Sequence, residues 1–148
     1  MMRFIAPLLL AATIATPLSG AHADAAEASA TAAVRGYFSA LARQDFSRAI
    51  ALTDGAAQQC TSRMVSKLKS EAAAHNARVE VKVTKVDVSR PGAPEARGVP
   101  VPVAFHIDVV GKKWCFSKVA RQLDGVARFW VDPSRPDRIV AIDGRLAE

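Results

Sequence analysis

Cysteine, histidine and tyrosine are scarce in this chain: among 148 residues there are two cysteines, three histidines and one tyrosine. Each shortage excludes something. Cys60, Cys115, His75 and His106 show none of the close Cys/His spacings of a structural zinc site, so no metal is expected. There is no glycine-rich phosphate loop, no Gly-x-Ser-x-Gly turn and no calcium-loop pattern, and no cofactor is expected. No stretch carries five like charges in a row and no basic run is interleaved with aromatics, which argues against nucleic acid as a partner. The only long apolar run is Phe4 to Leu18. It is shorter than the roughly 20 residues of a membrane-spanning helix and contains Pro7 and Pro17.

That run sits between Arg3 and the small-x-small triplet Ala21-His22-Ala23, the three-part pattern of a secretory signal over residues 1–23. The expected mature domain is 24–148, periplasmic or secreted, with no stable membrane anchor after cleavage. Loss of Arg3 leaves 19 of the 20 basic residues against 14 acidic ones, a net charge of +5. The surface is moderately basic, and it favours anionic partners in a general way. In an oxidising compartment Cys60 and Cys115 suggest a disulfide, which by closing a long loop would stabilise the fold by about 4 kcal/mol. Two separate buried thiols are the alternative.

From Val34 the pattern is helical. Val34, Tyr37, Phe38, Leu41 and Ala42 form one apolar stripe, with Arg35, Ser39 and Arg43 on the other side. A break is expected at Gln44-Asp45, with Asp45 capping a short second segment from Phe46 to Leu52 and Asp54-Gly55 ending it. Ala56 to Cys60 reads as a connection. A further helix, capped by Thr61 or Ser62, would run to about His75, burying Met64, Val65, Leu68 and Ala72.

The period then changes to two. Val79, Val81 and Val83 alternate with Glu80 and Lys82, and the phase slips at Thr84-Lys85, where a bulge is expected. After a Pro/Gly-rich loop at 89–98, Val99 to Val109 alternates over six apolar positions. Trp114 to Leu123, a turn at Asp124-Gly125, Val126 to Val131 and Arg138 to Leu146 complete about five strands. The loops are too short for parallel crossovers. The expected class is therefore α+β, two N-terminal helices packed on an antiparallel sheet of about five strands.

The run V-R-G-Y-F-S-A-L-A-R-Q-D-F-S-R-A-I-A-L resembles the opening helix of the nuclear-transport-factor-2-like (cystatin-like α+β) superfamily, where "Y-F-x-A-L-x-x-x-D-x-x-x-A" precedes a curved sheet. The resemblance is close over the helix and extends elsewhere only to element order. It implies a cone-shaped half barrel whose open end can hold an apolar ligand. The superfamily includes isomerases, dehydratases and epoxide hydrolases, besides secreted proteins that bind or scaffold.

Tyr37 stands where ketosteroid isomerases, which this helix resembles, place an oxyanion-binding tyrosine. Those enzymes also carry carboxylates at positions corresponding to about Thr61 and to Lys118-Val119, and neither is acidic here. Proton abstraction needs a base within reach. His106 and Asp108 share one strand face, opposite Phe105 and Ile107, and could form an acid–base pair or simply a polar outer face. Tyr37, Phe38, Trp114 and Trp130 are the aromatic candidates for lining a ligand pocket or filling the core, with the two tryptophans expected as cross-strand neighbours. His75 is placed to cap a helix C-terminus. The leading expectation is a non-catalytic domain that binds a small apolar or amphipathic ligand or a protein partner, homodimerising through the sheet face as one form of it. The alternative is an isomerase- or hydrolase-type enzyme using Tyr37, His106 and Asp108.

Overall fold

The structure, a computed structural model, describes the backbone of residues 19–74, 78–113 and 116–144, and the side chains of 24–74, 78–111 and 121–144 within them. Three helices precede four strands: α1 Ser19–Ala42, α2 Phe46–Ala51, α3 Gly55–Ala74, β1 Arg78–Val88, β2 Val99–Lys113, β3 Phe116–Val131 and β4 Ile139–Gly144. The strands form one open antiparallel sheet in sequence order, with the helices on one of its faces. The architecture is α+β.

α1 ends where the sequence weakens. Gln44 takes a left-handed conformation (φ 61°), and Asp45 then caps α2, accepting a hydrogen bond from the Arg48 N–H at 3.0 Å. The buried stripe of α1 contains Val34, Tyr37, Phe38 and Leu41 with Ala30, Ala33 and Ala40, while Ala42 is exposed. α3 begins at Gly55, six residues before the expected cap at Thr61. The stretch from Ala56 to Cys60 is helical and Thr61 is buried in mid-helix. Gly55, at φ +53°, reverses the chain and lets α3 start directly after α2.

In β1, Val79, Val81 and Val83 face the core, as do Val86 and Val88. Val83 pairs with Ile107 and Lys85 with His106, leaving Thr84 as the extra residue of a bulge. This is the phase slip visible in the sequence. β2 presents Val99, Val101, Val103, Phe105, Ile107 and Val109 inward, all buried.

Among the described residues four strands form instead of five. Asp124-Gly125 makes no hairpin: Asp124 pairs with His106 and Gly125 with Phe105 inside the continuous strand β3. A two-residue turn there would leave much of the 15-residue β2 without a partner, and the long ladder overrides the local turn preference. β4 pairs with the end of β3, and its other edge is bridged by the α2–α3 link. Ile139 donates to the Leu52 carbonyl at 2.9 Å and accepts from the Asp54 N–H at 2.8 Å.

Candidate functional site

Tyr37 projects from α1 into the layer between helices and sheet. Its ring makes edge-on contacts with Phe38 (centroids 5.7 Å apart) and Phe129 (5.5 Å), and Phe38 lies 6.0 Å from Phe105 and 5.4 Å from Phe129. All four rings are buried. The Tyr37 hydroxyl is hydrogen-bonded to Thr61 Oγ1 at 3.1 Å, a bond that joins α1 to α3. Burial pushes the Tyr37 pKa up to about 12, against the opposing effect of the Thr61 hydrogen bond. Thr61 therefore occupies the place that the isomerase comparison assigns to a base, and it serves as the hydroxyl partner of a packed tyrosine.

His106 and Asp108 alternate with buried Phe105 and Ile107 and so lie on the face of the sheet that the helices leave open. The structure brings these two together and keeps them apart from Tyr37, which sits beyond the opposite face. His106 Nε2 is 3.2 Å from Asp108 Oδ1, and Nδ1 is 3.7 Å from Asp124 Oδ2. The two carboxylates meet opposite sides of the ring and do not converge on one point. No group of three or more metal-ligating side chains able to hold an ion occurs among the described residues. The rest of this face carries Lys82, Lys85, Asp87 and Arg128. Val126, 65 % exposed, is the one exposed large hydrophobic side chain among the described residues.

Trp130 is also on the open face, yet only 4 % exposed. The Arg97 guanidinium lies 5.0 Å from the ring centroid and that of Arg128 6.0 Å, two cation–π contacts. The indole N–H donates to Asp143 Oδ2 at 3.2 Å, and Arg97 grips the same carboxylate at 2.8 and 3.4 Å. The Arg97 hydrogen bond holds the Asp143 carboxyl below the usual carboxylate range, with Trp130 contributing and desolvation opposing. Arg97 and Asp143 were not signalled by the sequence, where they are 46 residues apart. Trp130 pairs across the sheet with Pro100 and Ala141. Trp114, its expected cross-strand neighbour, lies outside the described residues.

His75, Cys115 and the side chains of Lys118 and Val119 also lie outside the described residues, as do residues 1–18 of the expected signal. Cys60 is half-buried on α3, next to Thr61.

A groove of about 720 Å³ runs along the outer side of α1, between it, α2 and the β3–β4 loop at Pro136-Asp137. Its floor is made of small residues, Ala33, Gly36 and Ala40, and Leu52 forms a wall. Arg43, Asp45, Arg48 and Asp137 bring both signs of charge to its lining. None of Tyr37, Phe38, His106 and Trp130 lines it. At Gly36 a Cβ would meet only Leu52 Cδ1, at 3.8 Å, an ordinary contact, so the backbone there borders open space. The sequence signal for the groove was a glycine and several alanines inside a helix whose other face is fully apolar. Comparison with family models, with curated proteins and with solved structures finds no match.

Proposed function

We propose that this chain is a secreted or periplasmic binding domain of the nuclear-transport-factor-2-like kind, a half barrel without covalent chemistry of its own, and that it holds a small apolar or amphipathic ligand in the groove along α1. The helix-on-antiparallel-sheet architecture is compatible with that superfamily. One observation carries the functional reading: the layer where an enzyme of this shape would keep its pocket is packed with the rings of Tyr37, Phe38, Phe105 and Phe129, while His106 and Asp108 lie across the sheet. The three polar groups an isomerase or hydrolase would use do not converge. The groove, by contrast, has a volume in the usual small-ligand range of roughly 300–1,000 Å³. Its floor is apolar, and its lining also carries guanidinium and carboxylate groups, which suits an amphipathic molecule.

Native mass spectrometry of the protein purified from the extracytoplasmic fraction tests this, run beside Gly36→Phe, which fills the groove from its floor. The wild type is expected to retain a small molecule that the variant lacks. Equal added mass in both, or none in either, contradicts the reading. The same spectra report the compartment: the chain is expected to begin at Asp24 and to weigh two hydrogens less than its reduced form, as a Cys60–Cys115 bridge requires.

A further inference from the structure

β1 is a long edge strand of the sheet, since strand order leaves one of its sides without a strand neighbour. In its first half, Val81 directs both backbone groups away from β2, and both are taken by one side chain. Gln44 Oε1 accepts from the Val81 N–H at 2.8 Å, and Gln44 Nε2 donates to the Val81 carbonyl at 2.7 Å. A primary amide presenting a donor and an acceptor in this way reproduces the peptide group of a neighbouring strand. Gln44 does so from a left-handed backbone conformation that a residue with a Cβ adopts at a cost.

The edge it covers is self-complementary. Consider a second copy of β1 laid antiparallel with Val81 facing Val81. Val79 then faces Val83, and Glu80 faces Lys82 twice, once on each side of the two-fold axis. Val81 would be the pair exchanging both hydrogen bonds. Glu80–Lys82 would be the closely spaced pair beside it, where opposite charges attract across strands. The valines would continue the inner face and the charges the open face, in the parity each strand already has. A shift of register by one residue destroys this match.

We infer that the β1 edge is a pairing surface for a second copy of this chain, centred on Val81, and that the Gln44 amide is the gate that holds it shut. The amide and an incoming strand compete for the same two backbone groups, so the closed monomer and the edge-paired dimer exclude one another. This interface uses the sheet edge rather than the charged open face.

Gln44→Gly is the direct test, because glycine keeps the φ of 61° without strain while removing the amide. Sedimentation analysis is expected to show at least tenfold tighter dimerisation of Gln44→Gly than of wild type. Zero-length carboxyl–amine cross-linking of mixed ordinary and ¹⁵N-labelled protein should then give an intermolecular Glu80–Lys82 link. Adding Lys82→Glu, which sets like charges opposite, should return the monomer. Gln44→Glu keeps the acceptor and loses the donor, and it serves if the glycine variant fails to fold: its dimer fraction should exceed that of wild type. A Gly variant no more associated than wild type, a dimer without that cross-link, or a Lys82→Glu double variant that stays dimeric overturns the inference.

Discussion

Replacing Tyr37 with phenylalanine keeps the ring that packs on Phe38 and Phe129 and leaves the buried Thr61 hydroxyl without its partner. An unmatched buried polar group costs about 1–3 kcal/mol, so Tyr37→Phe and Thr61→Val should each destabilise the fold by an amount in that range. The double variant should cost less than the sum, because removing both partners leaves no orphan. Denaturant unfolding of the four proteins measures this. A purely additive cycle would mean that the bond between α1 and α3 contributes nothing. Tyr37 in this setting is a rivet between helices, and its hydroxyl is committed. The face assignment of His106 and Asp108 was readable from alternation with Phe105 and Ile107, because a strand leaves no other choice. Their approach to Asp124 was not, since it depends on the register of β3, which a hairpin at Asp124-Gly125 would have changed. The Arg97–Asp143–Trp130 cluster was equally hidden: it exists only once a loop, the end of β3 and β4 are brought together.

At the scale of elements, the bulge makes a prediction opposite to intuition. Thr84 is the residue without a register partner, and deleting it would turn the second half of β1 into plain alternation with Val86 and Val88 still inward. The deletion also removes an exposed hydrogen bond from Thr84 Oγ1 to the His106 carbonyl, worth about 0.5–1.5 kcal/mol. Thermal and denaturant unfolding should therefore show a cooperative transition with a loss of that order. A loss of several kcal/mol would mean that the bulge itself sets the twist the sheet needs. This bulge, the Gln44-Asp45 break and the core stripes of α1 and β2 were all legible, because each is written in the spacing of large apolar side chains. The elements misread were those marked by small residues. Gly55 and Ala56 to Cys60 look like a connection, yet they are the first turns of α3, and of these six residues Ala57 alone is buried. Asp124-Gly125 carries a strong local turn signal, and the ladder to the long β2 outweighs it.

The whole molecule is a sheet with one face closed by helices and one face left charged, with both of its edges occupied, by the α2–α3 link at Ile139 and by Gln44 at Val81. The central claim is that the closed side is solid, a core and not a chamber. Tyr37 reports on it alone, being the only tyrosine in the chain. Burial raises its pKa from the ordinary 10.0 to about 12. The sign of the linkage follows: the unfolded chain loses this proton first, so the contribution of a neutral buried Tyr37 is complete below pH ~10 and is lost as the pH rises through about 12. Two units correspond to about 3 kcal/mol. The decisive measurement is a spectrophotometric pH titration of tyrosinate absorbance with circular dichroism recorded in parallel. No ionisation is expected near pH 10, then ionisation near pH 12 together with unfolding. Ionisation at or below pH ~10 in a protein that remains folded would show a hydroxyl open to solvent, and with it the chamber this account denies.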